Sequence, residues 1–294
     1  MALRVGFVGL GTMGIGMARN LGKAGFPLAL SSRTASKARS VAEELGARAW
    51  ETPREVAAAS DVVVSCLPDA PEVEEVHLGP NGTIRGASQG AILIDCSTIA
   101  PDAARSIAER VAAAGCRFLD APVSGGQKGA QEGTLTFFVG GDTAALEKAR
   151  PVFAAIGKRI THLGPSGSGQ LGKAVNQIVV ADTLLAVSEG MAFAARAGLP
   201  MAPLHEALMG GAASSWMLDV LGKKMMERDF KPAFAVKHQQ KDLAIVLKAA
   251  RQKGVPLPGT ALVHQLLSAL EAQGRGEDGT QALLTLYERM TAPA

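Results

Sequence analysis

Short, continuously apolar runs alternate with longer stretches of helical periodicity over the first half of the chain. Leu3 to Val8 is a run of strand length, followed by a glycine-rich turn and a helix to about Lys23. Pro27 to Ser31 predicts a second strand, Ser36 to Leu45 a helix, and Asp61 to Ser65 a third strand. Ala91 to Asp95, a helix from Pro101 to Ala114, and Arg117 to Asp120 continue the series, and Thr134 to Val139 and Arg159 to His162 extend it. Such strands are apolar throughout instead of alternating, so they belong to a parallel sheet covered by helices on both faces.

The pattern changes after Pro165. From about Gly169 to Ala197 there is no proline, and the only charges are Lys173, Asp182, Glu189 and Arg196. A helix of roughly 28 residues is about 42 Å long. Apolar nearly all round, it is expected to be buried by other helices and not to lie on the surface. Met201 to Met209, Ser215 to Arg228, Phe234 to Gln252, Pro258 to Gln273 and Gly279 to Met290 predict further helices. The expected fold is therefore α/β. A Rossmann-type, doubly wound parallel sheet over residues 1–163 precedes an all-α domain with a long central helix over 164–294, with the boundary near Leu163.

Composition supports this division. At roughly 150 residues per domain, 294 residues suggest two domains. A hydrophobic content of 47%, a charged content of 19% and a mean hydropathy of +0.17 exclude a disordered chain. No stretch of 18 residues lacks a charge, and no cleavable leader pattern is visible, so the chain is expected to be soluble and cytoplasmic. The net charge is only +3 and the basic residues are scattered, which argues against a nucleic-acid partner. Cys66, Cys96 and Cys116 lie far apart within apolar runs, as reduced thiols do. No two histidines stand at i, i+4, so no metal is expected.

Four segments carry candidate chemistry. Gly9-Leu10-Gly11-Thr12-Met13-Gly14 ends the first strand and opens the first helix. This is the context in which glycines let backbone approach a pyrophosphate and a helix N-terminus receives it. After the second strand comes Ser32-Arg33-Thr34, where an NAD-preferring site would place an acidic residue. Arg33 can hold a 2′-phosphate instead, with hydroxyls from Ser32 and Thr34, or it is a solvated loop cation. Asp120 to Gly126 (DAPVSGG) offers N–H groups to an anion, although a purely structural turn uses the same residues. On the long helix, Lys173, Asn176 and Gln177 stand at i, i+3 and i+4 and share one face. Burying an ammonium is costly unless it has a task or reaches solvent, so these residues suggest a general acid/base, with the amides of Asn176 and Gln177 holding a substrate oxygen. Lys241-Asp242 interrupts a later helix and reads equally well as a surface ion pair.

Taken together, these segments resemble the β-hydroxyacid dehydrogenase family over essentially the whole chain. The signatures are Gly6 to Gly14, Asp120 to Gly126 with Gly133-Thr134-Leu135-Thr136, Gly167 to Gln177, and Lys241-Asp242-Leu243. The resemblance implies that Lys173 is the catalytic acid/base and that Ser124, Gly125, Gly126 and Asn176 surround the substrate carboxylate and carbonyl. It also implies that Leu67, Pro68, Thr98 and Lys241 line the nicotinamide half of the cofactor site. Gln177 stands where many members carry a second asparagine. With Gly210 to Ser214 and Asp229 to Pro232, this makes the chain more similar to the tartronate semialdehyde (2-hydroxy-3-oxopropionate) reductase branch.

The expected activity is reversible hydride transfer between NADPH, preferred over NADH, and the carbonyl of a short semialdehyde or 3-oxo acid, in a cleft between the domains. Related expectations are 3-hydroxyisobutyrate dehydrogenation and reduction of succinic semialdehyde or glyoxylate. Two rivals share the fold: a non-catalytic nucleotide-binding scaffold and an imine reductase, both of which Lys173 argues against. The nearly uncharged long helix predicts a homodimer or homotetramer formed through the helical domain.

Overall fold

A computed structural model describes residues 3–290, so the outer ends of the two expected domain spans lie outside the described residues. Two compact units divide within one helix, after Lys173. In the first unit, β1 (Val5–Val8), α1 (Thr12–Lys23), β2 (Leu28–Ser31), α2 (Ala35–Leu45), β3 (Arg48–Ala49), α3 (Pro53–Ala58) and β4 (Val62–Ser65) come first. They are followed by α4 (Ala70–Leu78), β5 (Ile92–Asp95), α5 (Pro101–Ala113), β6 (Arg117–Asp120), β7 (Val123–Ser124) and α6 (Gly126–Glu132). The unit closes with β8 (Leu135–Gly141), α7 (Thr143–Ile156), β9 (Gly157–Gly164) and the start of α8 (Ser168–Arg196).

The sheet runs β3-β2-β1-β4-β5-β6-β8-β7, with β9 paired to β8. From β3 to β6 every pairing is parallel. Both faces of these strands are buried. Val5, Phe7, Val62, Val64, Ile92 and Ile94 face one core, while Val8, Val63 and Leu93 face the other. Side chains alternate across a strand, so a run without polar positions feeds both cores at once. Beyond β6 the sheet departs from the expected all-parallel form, because β8 runs antiparallel to both β6 and β7. β7 pairs antiparallel with β8, Val123 opposite Phe137, so the chain re-enters the sheet in the reverse direction.

Local signals explain the shorter helices. Thr52 Oγ1 accepts from Glu55 N at 3.2 Å while Glu55 Oε2 accepts from Thr52 N at 2.9 Å, so a reciprocal cap starts α3. Asp142 Oδ1 accepts from Ala145 N at 2.8 Å and starts α7 in the same manner.

The second unit contains the rest of α8, then α9 (Met201–Met209), α10 (Lys223–Met226), α11 (Val236–Lys253), α12 (Pro258–Ala272) and α13 (Leu284–Met290). Its core gathers Ala181, Leu184, Met191, Leu221, Leu243, Val263, Leu267 and Leu283. The expected helix from Ser215 to Arg228 is instead a π-helical stretch, Met217–Gly222, running into α10. A π turn leaves a carbonyl without its ordinary partner, and His205 Nε2 donates to Leu218 O at 2.9 Å.

The expected full burial of the long helix does not hold in the single chain. Ala181, Leu184, Ser188 and Met191 are buried, but Val175, Val179, Ala186, Gly190 and Phe193 form an exposed stripe, with Phe193 74% exposed. The helices of one chain cover only one side of α8. By length and composition alone, α8 is also apolar enough to cross a membrane. Within the second unit, Ala181, Leu184, Val187, Met191 and Ala192 of this helix join its core.

Candidate active site

The turn between β1 and α1 is shaped by close approach. Gly9 adopts φ +101°, and a Cβ there would lie 2.3 Å from Cys66 O; one on Gly14 would lie 2.0 Å from Gly9 O. Around Gly11, by contrast, no atom stands within 4 Å of where a Cβ would be. Gly11 N-caps α1 and brings no side chain to accept from the first N–H groups of the helix. Leu10 and Gly14 are buried, Met13 is half-buried, and Gly11 and Thr12 are exposed. Open space, a glycine cap and the positive end of α1 suit the diphosphate of a dinucleotide. Ser32 is half-buried just after β2, and Arg33 and Thr34 are exposed beside it.

At the carboxyl ends of β4 and β5 lies a buried polar chain that sequence reasoning missed. Ser65 Oγ donates to Asp95 Oδ1 at 2.8 Å, and Ser97 Oγ donates to the same oxygen at 2.6 Å. Having spent its proton, Ser65 Oγ accepts from His77 Nε2 at 3.0 Å; His77 Nδ1 then accepts from Thr83 Oγ1 at 2.9 Å. Ser97 Oγ also accepts from Leu67 N at 2.8 Å, tying the Leu67-Pro68 turn to the loop that carries Thr98. Burial holds His77 neutral by lowering its pKa to about 4. Burial also raises the Asp95 carboxyl to about 6, opposed by the bonds from Ser97 and Ser65 and aided by nearby Asp120. A signal was available: Ser65 and Asp95 are the polar residues that end the apolar runs VVVS and ILID.

This has a consequence for stability. The unfolded value for Asp is about 3.9, so folding raises the Asp95 pKa. Its stabilising contribution is complete below about pH 4 and is lost as pH rises through about 6. Asparagine imitates the protonated acid. Asp95→Asn is therefore expected to match the wild type in urea denaturation below about pH 4 and to gain roughly 1–3 kcal/mol relative to it near pH 7.5. A difference that stays constant between those pH values would contradict this account.

The start of α8 is held by Asp120, the last residue of β6. Asp120 Oδ1 accepts from Gly167 N at 2.8 Å, and Oδ2 accepts from Gln170 N at 3.0 Å. Burial raises Asp120 to about 6 even against these bonds. The first turn of α8 is thereby bonded to the sheet, and the compact unit that holds the sheet runs on to Lys173. Lys173 follows, only 7% exposed. Past Asp120 the chain enters β7 with half-buried Ser124, then exposed Gly125 and Gly126 at φ 129° and 61°, a conformation that favours glycine. Leu67 and Thr98 are half-buried, and Pro68 is exposed. These residues, with the glycine turn and Ser32 to Thr34, all belong to the first unit.

Asn176, Gln177 and Lys241 belong to the second unit. Asn176 is half-buried one turn along α8 from Lys173. Gln177 is 2% exposed and donates through Nε2 to Asp242 Oδ2 at 2.7 Å, which joins α8 to α11. Lys241 Nζ lies 3.1 Å from Asp242 Oδ1. Asp242 is only 4% exposed, so this is no ordinary surface ion pair.

Comparison with known proteins identifies the family. Residues 4–164 match the family described as the NAD binding domain of 6-phosphogluconate dehydrogenase. Residues 167–287 match the family described as NAD-binding of NADP-dependent 3-hydroxyisobutyrate dehydrogenase. The chain is 42% identical over 291 residues to a 2-hydroxy-3-oxopropionate reductase of Escherichia coli, covering 98% of each. It is 41% identical over 288 residues to a probable 3-hydroxyisobutyrate dehydrogenase-like protein of Arabidopsis thaliana, covering 98% of this chain and 86% of that one. A solved structure of Mycobacterium tuberculosis 3-hydroxyisobutyrate dehydrogenase with L-serine superposes with a TM-score of 0.89 at 29% identity, covering 99% of this chain and 100% of the other. A Rossmann-type unit that matches an NAD-binding family, a following helical unit and relatives matched along nearly their whole length make this chain an enzyme of the β-hydroxyacid dehydrogenase family.

Proposed function

We propose that the enzyme reversibly reduces the carbonyl of a short 3-oxo acid of the tartronate semialdehyde type to a β-hydroxy acid, with NADPH preferred over NADH and Lys173 as general acid/base. The observation that carries this reading is Lys173 itself: an amine buried one turn into an apolar helix, on a segment that Asp120 bonds to the strand end preceding Ser124. A scaffold that only held nucleotide would have no use for it. The 42% identity to a 2-hydroxy-3-oxopropionate reductase supports the substrate class.

When bound, NADPH supplies the hydride. The N–H groups of Gly9 to Gly14, Leu10, Thr12 and Met13 included, hold its diphosphate. Arg33, with Ser32 and Thr34, holds the 2′-phosphate, while Leu67, Pro68 and Thr98 line the nicotinamide half. Ser124 and the amides of Gly125 and Gly126 bind the substrate carboxylate. Asn176 orients the carbonyl oxygen, and Gln177, engaged by Asp242, supports that face of α8. As the carbonyl carbon receives the hydride, the C=O pair moves to oxygen and Lys173 Nζ delivers the proton; in oxidation Lys173 takes the hydroxyl proton back. The reading is tested by turnover of NADPH with a panel of short aldehyde acids.

A second copy of the chain covers the exposed stripe of α8 in this reading. Val175, Val179 and Phe193 on one helix face make a larger apolar surface than scattered exposed residues do. Light scattering is expected to give an integral multiple of 30.2 kDa, two or four chains. A particle of 30.2 kDa at micromolar concentration would remove the stripe as an interface.

A further inference from the structure

The turn after β5 carries Thr98 between two backbone groups that a single side chain occupies. Gln170 Nε2 donates to Ser97 O at 2.8 Å, and Gln170 Oε1 accepts from Ile99 N at 3.1 Å. The primary amide thus pairs with residues i and i+2 of the turn much as a neighbouring strand would, and Thr98 is left between the two bonds. Gln170 is 2% exposed, and its own N–H is fixed on Asp120 Oδ2. From the opposite side, Ser97 Oγ donates to Asp95 Oδ1 and accepts from Leu67 N. Lys173 stands three residues beyond Gln170 on the same helix, a spacing that puts both on one face.

We propose that Gln170 is a positioning residue of the reaction: by gripping the backbone on either side of Thr98, it fixes the Thr98 turn relative to the Lys173 amine one helical turn further along α8. The inference rests on the proposed roles of Thr98 at the nicotinamide and of Lys173 as proton donor. The residue type follows from the geometry. A glutamine supplies one donor and one acceptor in a planar fork, whereas glutamate loses the donor and places charge against the Ser97 carbonyl, and methionine fills the space but makes neither bond. An error of about 1 Å at the reacting atoms costs on the order of 10²-fold in rate, so a loosened turn shows in kcat before it shows in folding.

The test compares Gln170→Met and Gln170→Glu with the wild type as full-length protein. In the protein without cofactor, hydrogen exchange at Ile99 is expected to accelerate at least about 10-fold in Gln170→Met, while Ile92 to Asp95 stay protected. The Kd for NADPH, read from cofactor fluorescence, is expected to stay within about 3-fold, while kcat falls about 10- to 100-fold. Protonated glutamate regains the O–H donor, so the kcat of Gln170→Glu, taken as a ratio to wild type at each pH because Asp95 and Asp120 titrate in both, is expected to recover as pH falls. The ratio for Gln170→Met is expected to stay flat. Unchanged exchange at Ile99, or a lowered melting temperature with unchanged kcat per folded molecule, overturns the inference. If Gln170→Met does not fold, the pH recovery of Gln170→Glu decides, and its absence overturns the inference. Lys173→Ala separates the two ideas. An inactive Lys173→Ala beside fully active Gln170 variants removes only the role of Gln170, whereas an active Lys173→Ala removes the functional reading beneath it.

Discussion

Lys173→Ala is expected to bind NADPH as the wild type does, to melt within a few degrees of it, and to lose about 10²–10⁴-fold in kcat, the usual contribution of a positioned acid/base. The effect belongs in kcat because the amine acts on charge that develops only as the carbonyl oxygen becomes an alkoxide. Folding should suffer little. Lys173 is 7% exposed on a helix whose first turn is held by Asp120 bonds to Gly167 and Gln170, and none of these involves the lysine side chain. A variant within a few-fold of the wild-type kcat would assign the proton transfer to another group.

Arg33→Asp is expected to lower kcat/KM for NADPH by roughly 5- to 150-fold and to leave the NADH value unchanged or improved. Arg33 is exposed after β2, where a guanidinium can donate two charge-assisted bonds to a 2′-phosphate and a carboxylate would repel it. Solvent screening holds the effect to this range. The wild type should show the matching preference for NADPH. Equal loss with both cofactors, or a wild-type preference for NADH, would reduce Arg33 to a surface cation.

Much of this was legible because the signals are local. The β1 turn, the strand–helix alternation up to β6 and the span of α8 follow from periodicity and glycine spacing, and the four family signatures were readable in order. The helices α3 and α4 were not read, although Thr52-Pro53 with Glu55 and Asp69 before Ala70 carry their start signals. What else escaped depends on chain segments meeting from far apart. The antiparallel β6–β8 pairing has no local mark. Asp95 meets Ser65 across 30 positions. Gln170 grips Ser97 and Ile99 from 73 and 71 positions away. The exposed stripe on α8 escaped for another reason: composition shows that a helix is apolar, but not which chain covers it.

The most direct measurement of the central claim is the rate of NADPH oxidation, followed by its near-ultraviolet absorbance, with tartronate semialdehyde beside succinic semialdehyde and glyoxylate, and of NADP reduction with 3-hydroxyisobutyrate. The account predicts turnover with tartronate semialdehyde at a kcat/KM at least about 10-fold above the others, a margin of roughly 1.4 kcal/mol in transition-state binding, and its abolition in Lys173→Ala. An enzyme that binds NADPH tightly yet turns over none of these acids, or turns them over equally well without Lys173, would contradict it.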